Sequence, residues 1–288
     1  MRILFASDIH AAPNLLTDLT RQAVQSCAEA LIIGGDIVPH DLPQARTMGI
    51  LDAQADYIDK ALIPSLERLK ARRRIQIFLD FGNDDLAANY HRLAQHQPDL
   101  LSLLHMRKAP LTEQVDIVGY MMVPPTPFQR KDWERPDALE APYPEGSRIR
   151  IRGYTTGTGK IVETWLDLDS DQTIESDLAV LSRHIDRHFI FVSHCPPLDT
   201  PLDVIASGAH VGSLSIRHFI EKWSAKGLLL ASLHGHVHES PKRTGVIATH
   251  INTALCINPG QSEQLQFALL ELPSDADPPR IEMVHPRN

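Results

Sequence analysis

The sequence predicts an α/β protein: a parallel sheet covered by helices, followed by a second, partly antiparallel sheet. Three observations carry this. Apolar runs alternate with helix-length amphipathic segments through residues 2–79. Later apolar runs are joined by turns rather than helices. Five of the runs also end in loops bearing oxygen or imidazole donors, and α/β sheets bind ligands at the carboxyl ends of their strands.

Arg2 to Ala6 is a short apolar run and reads as a buried strand. Leu16, Leu19, Ala23 and Cys27 recur at helical spacing, predicting a helix from Asn14 to about Ala30. The second strand, Ala30 to Ile33, ends at Gly34-Gly35-Asp36. Met48, Leu51, Ala55, Ile58 and Leu62 mark a long amphipathic helix that Pro64 should kink or restart. A third strand, Ile75 to Leu79, ends at Gly82-Asn83, completing the pattern of a helix-covered parallel sheet. Val115 to Val123 is a further strand. Beyond it, Pro124-Pro125-Thr126-Pro127 opens a polar stretch in which Arg148, Arg150 and Arg152 alternate with Ile149 and Ile151. Lys160 to Leu168 alternates again, so a β-hairpin is expected. Residues 124–171 are therefore read as an insertion over the core of a single domain spanning 1–288. Ile174, Leu178, Leu181 and Ile185 predict a helix. Phe189 to Val192 and Leu228 to Leu233 are strands ending at His194 and just before His234, and Gly245 to His250 and Leu265 to Leu272 supply late strands.

Composition narrows the function. Among 288 residues, 28 basic side chains against 36 acidic give a net charge of -8. Non-specific nucleic-acid binding runs on phosphate neutralisation by Lys and Arg, so extended nucleic-acid binding is not expected. Cys27, Cys195 and Cys256 are few, odd in number and scattered, which argues for a reducing compartment. No secretory leader is visible and no apolar run approaches the ~20 residues that span a bilayer. A cytoplasmic protein without membrane partners is expected; nothing specifies an oligomeric state.

Seven residues at strand exits could bind metal: Asp8, His10, Asp36, Asn83, His194, His236 and His238. Asp8 and His10 are two apart, so on an extended chain they share a face while Ile9 points inward. His236 and His238 repeat that spacing after a glycine and could address different ions. Asp36 has two carboxylate oxygens and could bridge. The set lacks thiolate, and mixed carboxylate, amide and imidazole donors favour manganese, iron, zinc or cobalt. Seven donors suit two ions, and ions ~3.5–4 Å apart make a phosphoryl-transfer site. Polar strand caps would explain Asp8, Asp36 and Asn83 alone, but not the histidines with them.

Asp8-x-His10, Gly35-Asp36, Gly82-Asn83, His194 and Gly235-His236-x-His238, in that order, resemble the five motifs of the calcineurin-like metallophosphoesterases, over residues 2 to about 260. The resemblance implies a four-layer α/β/β/α sandwich of two central mixed sheets flanked by helices. It implies one ion on Asp8, His10 and His238, another on Asn83, His194 and His236, and Asp36 between them. The implied reaction is attack on phosphorus by a metal-bound hydroxide with in-line departure of the alcohol.

The chain departs from the family at Asp84, where many members carry a histidine that assists the leaving group. A carboxyl would need a raised pKa to donate a proton near neutrality, and two nearby cations would push it the other way. Asp84 is thus a doubtful substitute, and His210 is the first alternative. It lies in a glycine-containing loop before a helix through Ile216, Phe219, Ile220 and Trp223, with Ser213 as N-cap at a terminus that could attract phosphate. Against this stands a loop without substrate contact. His234 is read as supporting the ligands from behind, His40 as a solvated surface residue, and Cys195 as packing. Lys70, Arg72, Arg73 and Arg74 are expected at the negative end of a helix, and Arg148, Arg150 and Arg152 on a solvated strand face or, less expected, facing a polyanionic substrate. The expected function is a dinuclear metal-dependent phosphoesterase acting on a small phosphate mono- or diester, catalysed through Asp36 with His210 or Asp84. The alternatives are a nuclease of the same family and a non-catalytic metal-binding scaffold. The segment 124–171 and the loop 196–212 are expected to shape the substrate pocket.

Overall fold

In a computed structural model of the chain, residues 1–12, 14–40, 49–138, 150–157, 159–273 and 278–284 are described. The first apolar run is β1 (Arg2–Ala6), buried from Ile3 onward. Helix α1 (Leu15–Gln25) buries Leu15, Leu16, Leu19 and Ala23. It stops short of the expected Ala30 because Cys27 turns into the left-handed region (φ 56) and the Ala28 N–H reaches back to the Ala23 carbonyl, which closes a helix C-terminus. Cys27 is consequently exposed. After β2 (Ala30–Ile33), α2 (Ile50–Tyr57) passes through a single π-helical turn at Ile58–Leu62 into α3 (Ile63–Arg72). Pro64 brings no N–H to the ladder. The chain accommodates it by widening one turn, with the Ile63 N–H donating to Ile58 five residues back, so the helix runs on as a π-bulge. Met48 lies outside the described residues. Lys70 and Arg72 do sit in the last turn of α3, but Lys70 donates to the Asp99 carbonyl and Arg73 to the Ala28 carbonyl. These cations tie neighbouring segments as well as complementing the helix end.

The chain continues through β3 (Gln76–Leu79), α4 (Tyr90–Ala94), β4 (Ser102–Leu103), β5 (Arg107–Pro110) and β6 (Val115–Tyr120). The hairpin β7 (Arg150–Gly157) and β8 (Lys160–Asp167) follows, as the alternation predicts. Next come α5 (Ile174–Ser182), β9 (His188–Ser193), α6 (Leu214–Ala225), β10 (Leu229–Leu233) and the short α7 (Ser240–Thr244). Four strands close the chain: β11 (Ala248–Ile251), β12 (Ala254–Ile257), β13 (Ala268–Glu271) and β14 (Glu282–Val284).

Two six-stranded mixed sheets stand at the centre. One has the order β14-β13-β1-β2-β3-β4 and the other β11-β12-β10-β9-β6-β5. Each is parallel through its middle and antiparallel at one or both edges. Contrary to the expectation from sequence, the late run ending at Leu272 does not join the second sheet; β13 returns to pair with β1. Strand alternation divides the core. In β9, Ile190 and Val192 join the larger cluster with β1–β3 and helices α1 and α3, while Phe189 and Phe191 join a second cluster with Phe219, Ile220 and Trp223 of α6. The result is a four-layer α/β/β/α sandwich, with β1, β2, β3, β9 and β10 all ending toward the same set of loops. No helix among the described residues is long and apolar enough to cross a membrane.

His105, beside β6, offers a test of this packing. The Met121 N–H donates to its Nδ1 at 3.1 Å, and its ring lies 5.4 Å from Tyr120 and 5.3 Å from Trp133. Burial, with Arg135 and Arg107 nearby, lowers its pKa from 6.5 to about 4. A depressed histidine contributes stability that is complete above the unfolded value and is lost as pH falls toward the folded one. Unfolding free energy should therefore drop between pH ~6.5 and ~4, with His105 accounting for on the order of 3 kcal/mol. Urea titrations across this window should show a smaller drop for His105→Asn; an unchanged pH slope would contradict the assignment.

Candidate metal centre

The loops after β1 and β2 run side by side before they present any ligand. Asp8 N–H donates to the Gly35 carbonyl at 3.0 Å, His10 N–H to Asp36 at 2.8 Å and Ala11 N–H to Ile37 at 2.9 Å. Asp8, His10, Asp36 and His236 have φ of 56, 47, 50 and 64°, the left-handed region that non-glycine residues seldom occupy, at about 1–2 kcal/mol each. This corrects the geometric expectation for Asp8 and His10. They share a site because the chain curls at both residues, not because they alternate along an extended strand; β1 has already ended at Ala6.

Around Asp36 the donors fall into two groups. Ligand atoms of Asp8, His10 and Asp36 lie within 4.8 Å of one another. On the other side, Asn83 Oδ1 lies 3.1 Å from His194 Nε2 and 2.7 Å from His236 Nδ1. Asp36 Oδ2 stands between them, 3.7 Å from His10 Nε2 and 3.3 Å from His194 Nε2. His238 is at the rim, half-exposed, its ring 6.1 Å from that of His10 and 3.8 Å from the Glu239 carboxylate. Thus His236 lies beside Asn83 and His238 beside His10.

The electrostatics call for positive charge at the centre. His194 Nδ1 is 2.8 Å from the Gly34 carbonyl, so Nδ1 carries a proton and Nε2 is the nitrogen turned toward Asp36 and Asn83. An imidazole lone pair, a carboxylate oxygen and an amide oxygen within 3.3 Å repel unless a proton or cation lies among them. A proton on His194 meets this demand. Burial opposes charging the His194 ring, but the Asp36 carboxylate outweighs it and lifts the ring to about 10. Asp36 is held below the usual carboxylate range by His194 and His10 against the effect of burial. Burial holds His236 down to about 3, so it is neutral and able to ligate. His10 Nδ1 is buried without a hydrogen-bond partner. The donor set therefore fits divalent cations.

Glycines make room for these oxygens. A Cβ at Gly82 would collide with Asp36 Oδ1 and stand 2.7 Å from His194 Cε1, and one at Gly235 would collide with Ser7 Oγ and Asp8 Oδ2. Backbone N–H groups then fix the carboxylates: Asp84 donates to Asp36 Oδ1 at 2.8 Å and His236 to Asp8 Oδ1 at 2.9 Å. His234 is fully buried, its Nδ1 3.0 Å from the Cys195 carbonyl and 3.2 Å from that of Ser193, the residues flanking His194. Cys195 packs, and burial pushes its thiol up.

Asp84 and His210 occupy different positions. Asp84 Oδ1 accepts from Arg130 Nη1 at 2.7 Å, and its other oxygen lies 3.8 Å from His10 Nδ1. Burial and the Asp36 charge raise its pKa against the pull of Arg130. His210 Nδ1 lies 2.7 Å from Oδ1 of the fully buried Asp203, which also accepts the N–H groups of Thr200 and Gly212. Ser213 caps α6 as expected, accepting from Ile216 N–H at 3.0 Å. The anion at that terminus is not a phosphate, however. The buried Asp137 carboxylate accepts from Ser213 Oγ, Leu214 N–H and Ser215 N–H at 2.7, 2.6 and 3.2 Å.

Sequence reasoning missed several participants. His40 is exposed but its ring lies 4.4 Å from that of His10, in the same cleft, so it is not merely a solvated surface residue. Asp85 accepts from Ile37, Val38 and Gly82 N–H groups, joining the β2 and β3 loops. Asn258 Nδ2 donates to the Gly235 and Val237 carbonyls, holding the Gly-His-x-His loop. Its place in Asn258-Pro259-Gly260 was the available signal. Arg152 pairs with Glu163 at 2.7 Å on an exposed face, as expected of a solvated strand; Arg148 and the Arg150 side chain lie outside the described residues. The donors open into a cleft of about 1610 Å³ that includes His10, Asp36, Asn83, His40, Arg130, His210 and His236.

The sequence profile of the calcineurin-like phosphoesterases matches residues 1–240. The chain belongs to this family. Solved structures of similar fold include the protein TT1561 of Thermus thermophilus, with a TM-score of 0.55, 16% identity and 99% of each chain covered. A dimetal phosphatase from Danio rerio has a TM-score of 0.53 and 12% identity over 96% of this chain and 93% of its own. A 5'-nucleotidase described as putative, from Staphylococcus aureus, has 0.50 and 14% over 99% and 53%. These likenesses concern the fold. No curated protein matches the sequence. As a metallophosphoesterase whose ligand loops depend on glycine, the protein should lose its centre in Gly82→Ala. Titration with Mn²⁺ should show affinity at least about 100-fold weaker; wild-type affinity in a folded Gly82→Ala protein would contradict the close packing.

Proposed function

We propose that residues 1–288 form one metallophosphoesterase domain with an insertion at 124–171, hydrolysing a phosphate mono- or diester at a dinuclear centre. The observation that carries this is Asp36 Oδ2, which faces His10 on one side and His194 on the other. Asp8, His10 and His238 would hold one ion, Asn83, His194 and His236 the second, and Asp36 both. Two divalent ions, manganese, iron, zinc or cobalt, would when bound lower the pKa of water and neutralise charge on the phosphoryl group.

The chain's own groups complete the chemistry. Arg130 is anchored by Asp84 and by the His40 carbonyl at 2.6 Å; its remaining N–H groups are available to a phosphoryl oxygen. Asp84 then acts as a positioning residue through Arg130 and through its own N–H to Asp36. Hydrolysis joins a water oxygen to phosphorus, breaks the ester P–O bond and delivers one proton to the departing alkoxide. We assign that proton to His210, whose Nδ1 is held by Asp203 so that Nε2 remains for the substrate. Arg130 is the lone Lys or Arg among the described residues lining the cleft, which favours a small ester over a polynucleotide. The unpaired Cys27, Cys195 and Cys256 support a reducing, cytoplasmic setting.

The reading predicts Mn²⁺-dependent release of p-nitrophenol from bis-p-nitrophenyl phosphate, with kcat/KM at least about 1000-fold lower in Asp36→Asn. No hydrolysis of any simple ester under any of the four metals would overturn it. His210→Ala should slow alkyl esters about 100-fold and p-nitrophenyl esters less than about tenfold, since a phenolate leaves without much protonation. Equal losses on both would remove His210 as the acid.

A further inference from the structure

We propose that the group esterified to the substrate's phosphate is an extended hydrocarbon, lying on an apolar wall formed by residues 124–130, strands β7 and β8, and chain from the loop after β9. This rests on the phosphoesterase reading above and names the substrate class for the same site. A phosphoryl group needs only the polar floor of the cleft, yet the cleft measures about 1610 Å³, beyond the ~300–1,000 Å³ of ordinary small-molecule pockets.

Much of what lines the excess volume is apolar. Phe128, Ile161 and Tyr154 are 58, 42 and 39% exposed, and all three border this cleft. Single exposed hydrophobic residues are unremarkable, but several gathered beside a polar site mark a binding groove. Leu198, Ile205 and Val211, from the chain between β9 and α6, line it as well. Charge argues in the same direction. Arg130, the lone Lys or Arg among the described residues lining the cleft, is given to the phosphoryl group, while Glu239 and Asp137 also border the cleft, so among the described residues a polyanionic alcohol would find no further Lys or Arg.

The wall is held in place before any ligand arrives. Lys131 and Glu134 form a buried ion pair at 2.7 Å, and Lys131 Nζ also donates to the Thr126 carbonyl at 3.0 Å and to that of Phe128 at 2.5 Å. Strand β7 docks on this loop through Lys131 N–H to Tyr154 O at 2.8 Å and Tyr154 N–H to Gln129 O at 2.7 Å. Asp132 accepts from Ala87 N–H and Thr156 N–H, each at 2.8 Å. Trp133 Nε1 donates at 2.8 Å to the carbonyl of Asp85, two residues after Asn83. The apolar wall is therefore fixed to the loop that carries a metal ligand, and a preordered surface spends little entropy on binding.

The test is calorimetric binding of methylphosphonate and octylphosphonate, below micelle-forming concentrations, to the full chain with and without Mn²⁺. Each fully buried methylene is worth about fourfold in affinity, so octylphosphonate should bind at least about 30-fold more tightly, in both metal states. Phe128→Ser and Ile161→Ser, singly and together, should reduce that ratio, to within about threefold in the double variant; Val24→Ser on α1 should leave it unchanged. These side chains are exposed, and circular dichroism checks the fold. Equal binding of the two phosphonates, or a ratio unaltered in the double variant, would overturn the proposal. Turnover of p-nitrophenyl methyl and octyl phosphates separates the two readings. If neither is hydrolysed, the phosphoesterase reading fails while the binding ratio still decides the apolar wall; if both are hydrolysed at equal kcat/KM, the wall is the part that fails.

Discussion

The oxygen of Asp36 and the backbone of Gly82 compete for the same volume, and the absence of a side chain at Gly82 resolves it. Five loops from two sheets must converge on a few ångströms, each bringing a donor, and backbone must pass almost in contact with the carboxylates. Gly235 does for Asp8 what Gly82 does for Asp36. The left-handed turns at Asp8, His10, Asp36 and His236 belong to the same constraint: loops this close cannot leave their strands in relaxed conformations. Such strain, of order several kcal/mol in sum, persists because the surrounding sandwich holds the strand ends in place.

Buried carboxylates outside the donor set transmit that rigidity. Asp85, Asp203 and Asp137 each collect N–H groups from a loop and replace the water those groups would otherwise bind. A carboxylate accepting several backbone N–H groups is among the stronger ways to fix irregular chain. Asp85 sets the ligand loops after β2 and β3 relative to each other, Asp203 sets His210, and Asp137 occupies the N-terminus of α6. The centre and the cleft wall are thus supported by one continuous network, with Trp133 and Asp132 extending it into the hairpin.

Much of the fold was legible because helix periods were clean, core strands were short apolar runs, and the candidate ligands fell at strand exits. Phe189 to Val192 is apolar throughout and so read as a strand, whereas the facing of Phe189 and Phe191 to one layer and of Ile190 and Val192 to the other comes from its burial between two layers. What was not legible depended on partners distant in sequence. The return of β13 to β1 follows from long-range pairing that local pattern does not encode. The end of α1 depended on Cys27 taking a conformation usually left to glycine. The α6 N-terminus looked open to phosphate because Asp137 lies 76 residues before Ser213. His40 looked like a surface residue and Arg130 belongs to no motif; only the fold sets them beside His10 and Asp84.

The central claim is that Asp36 is shared by two ions. It is tested most directly by metal content per chain after loading with Mn²⁺ and removal of excess. The account predicts two ions per wild-type chain and fewer than one per folded Asp36→Asn chain, because both groups of donors lose their common oxygen. A wild-type chain that holds only one ion, or an Asp36→Asn chain that still holds two, would contradict it.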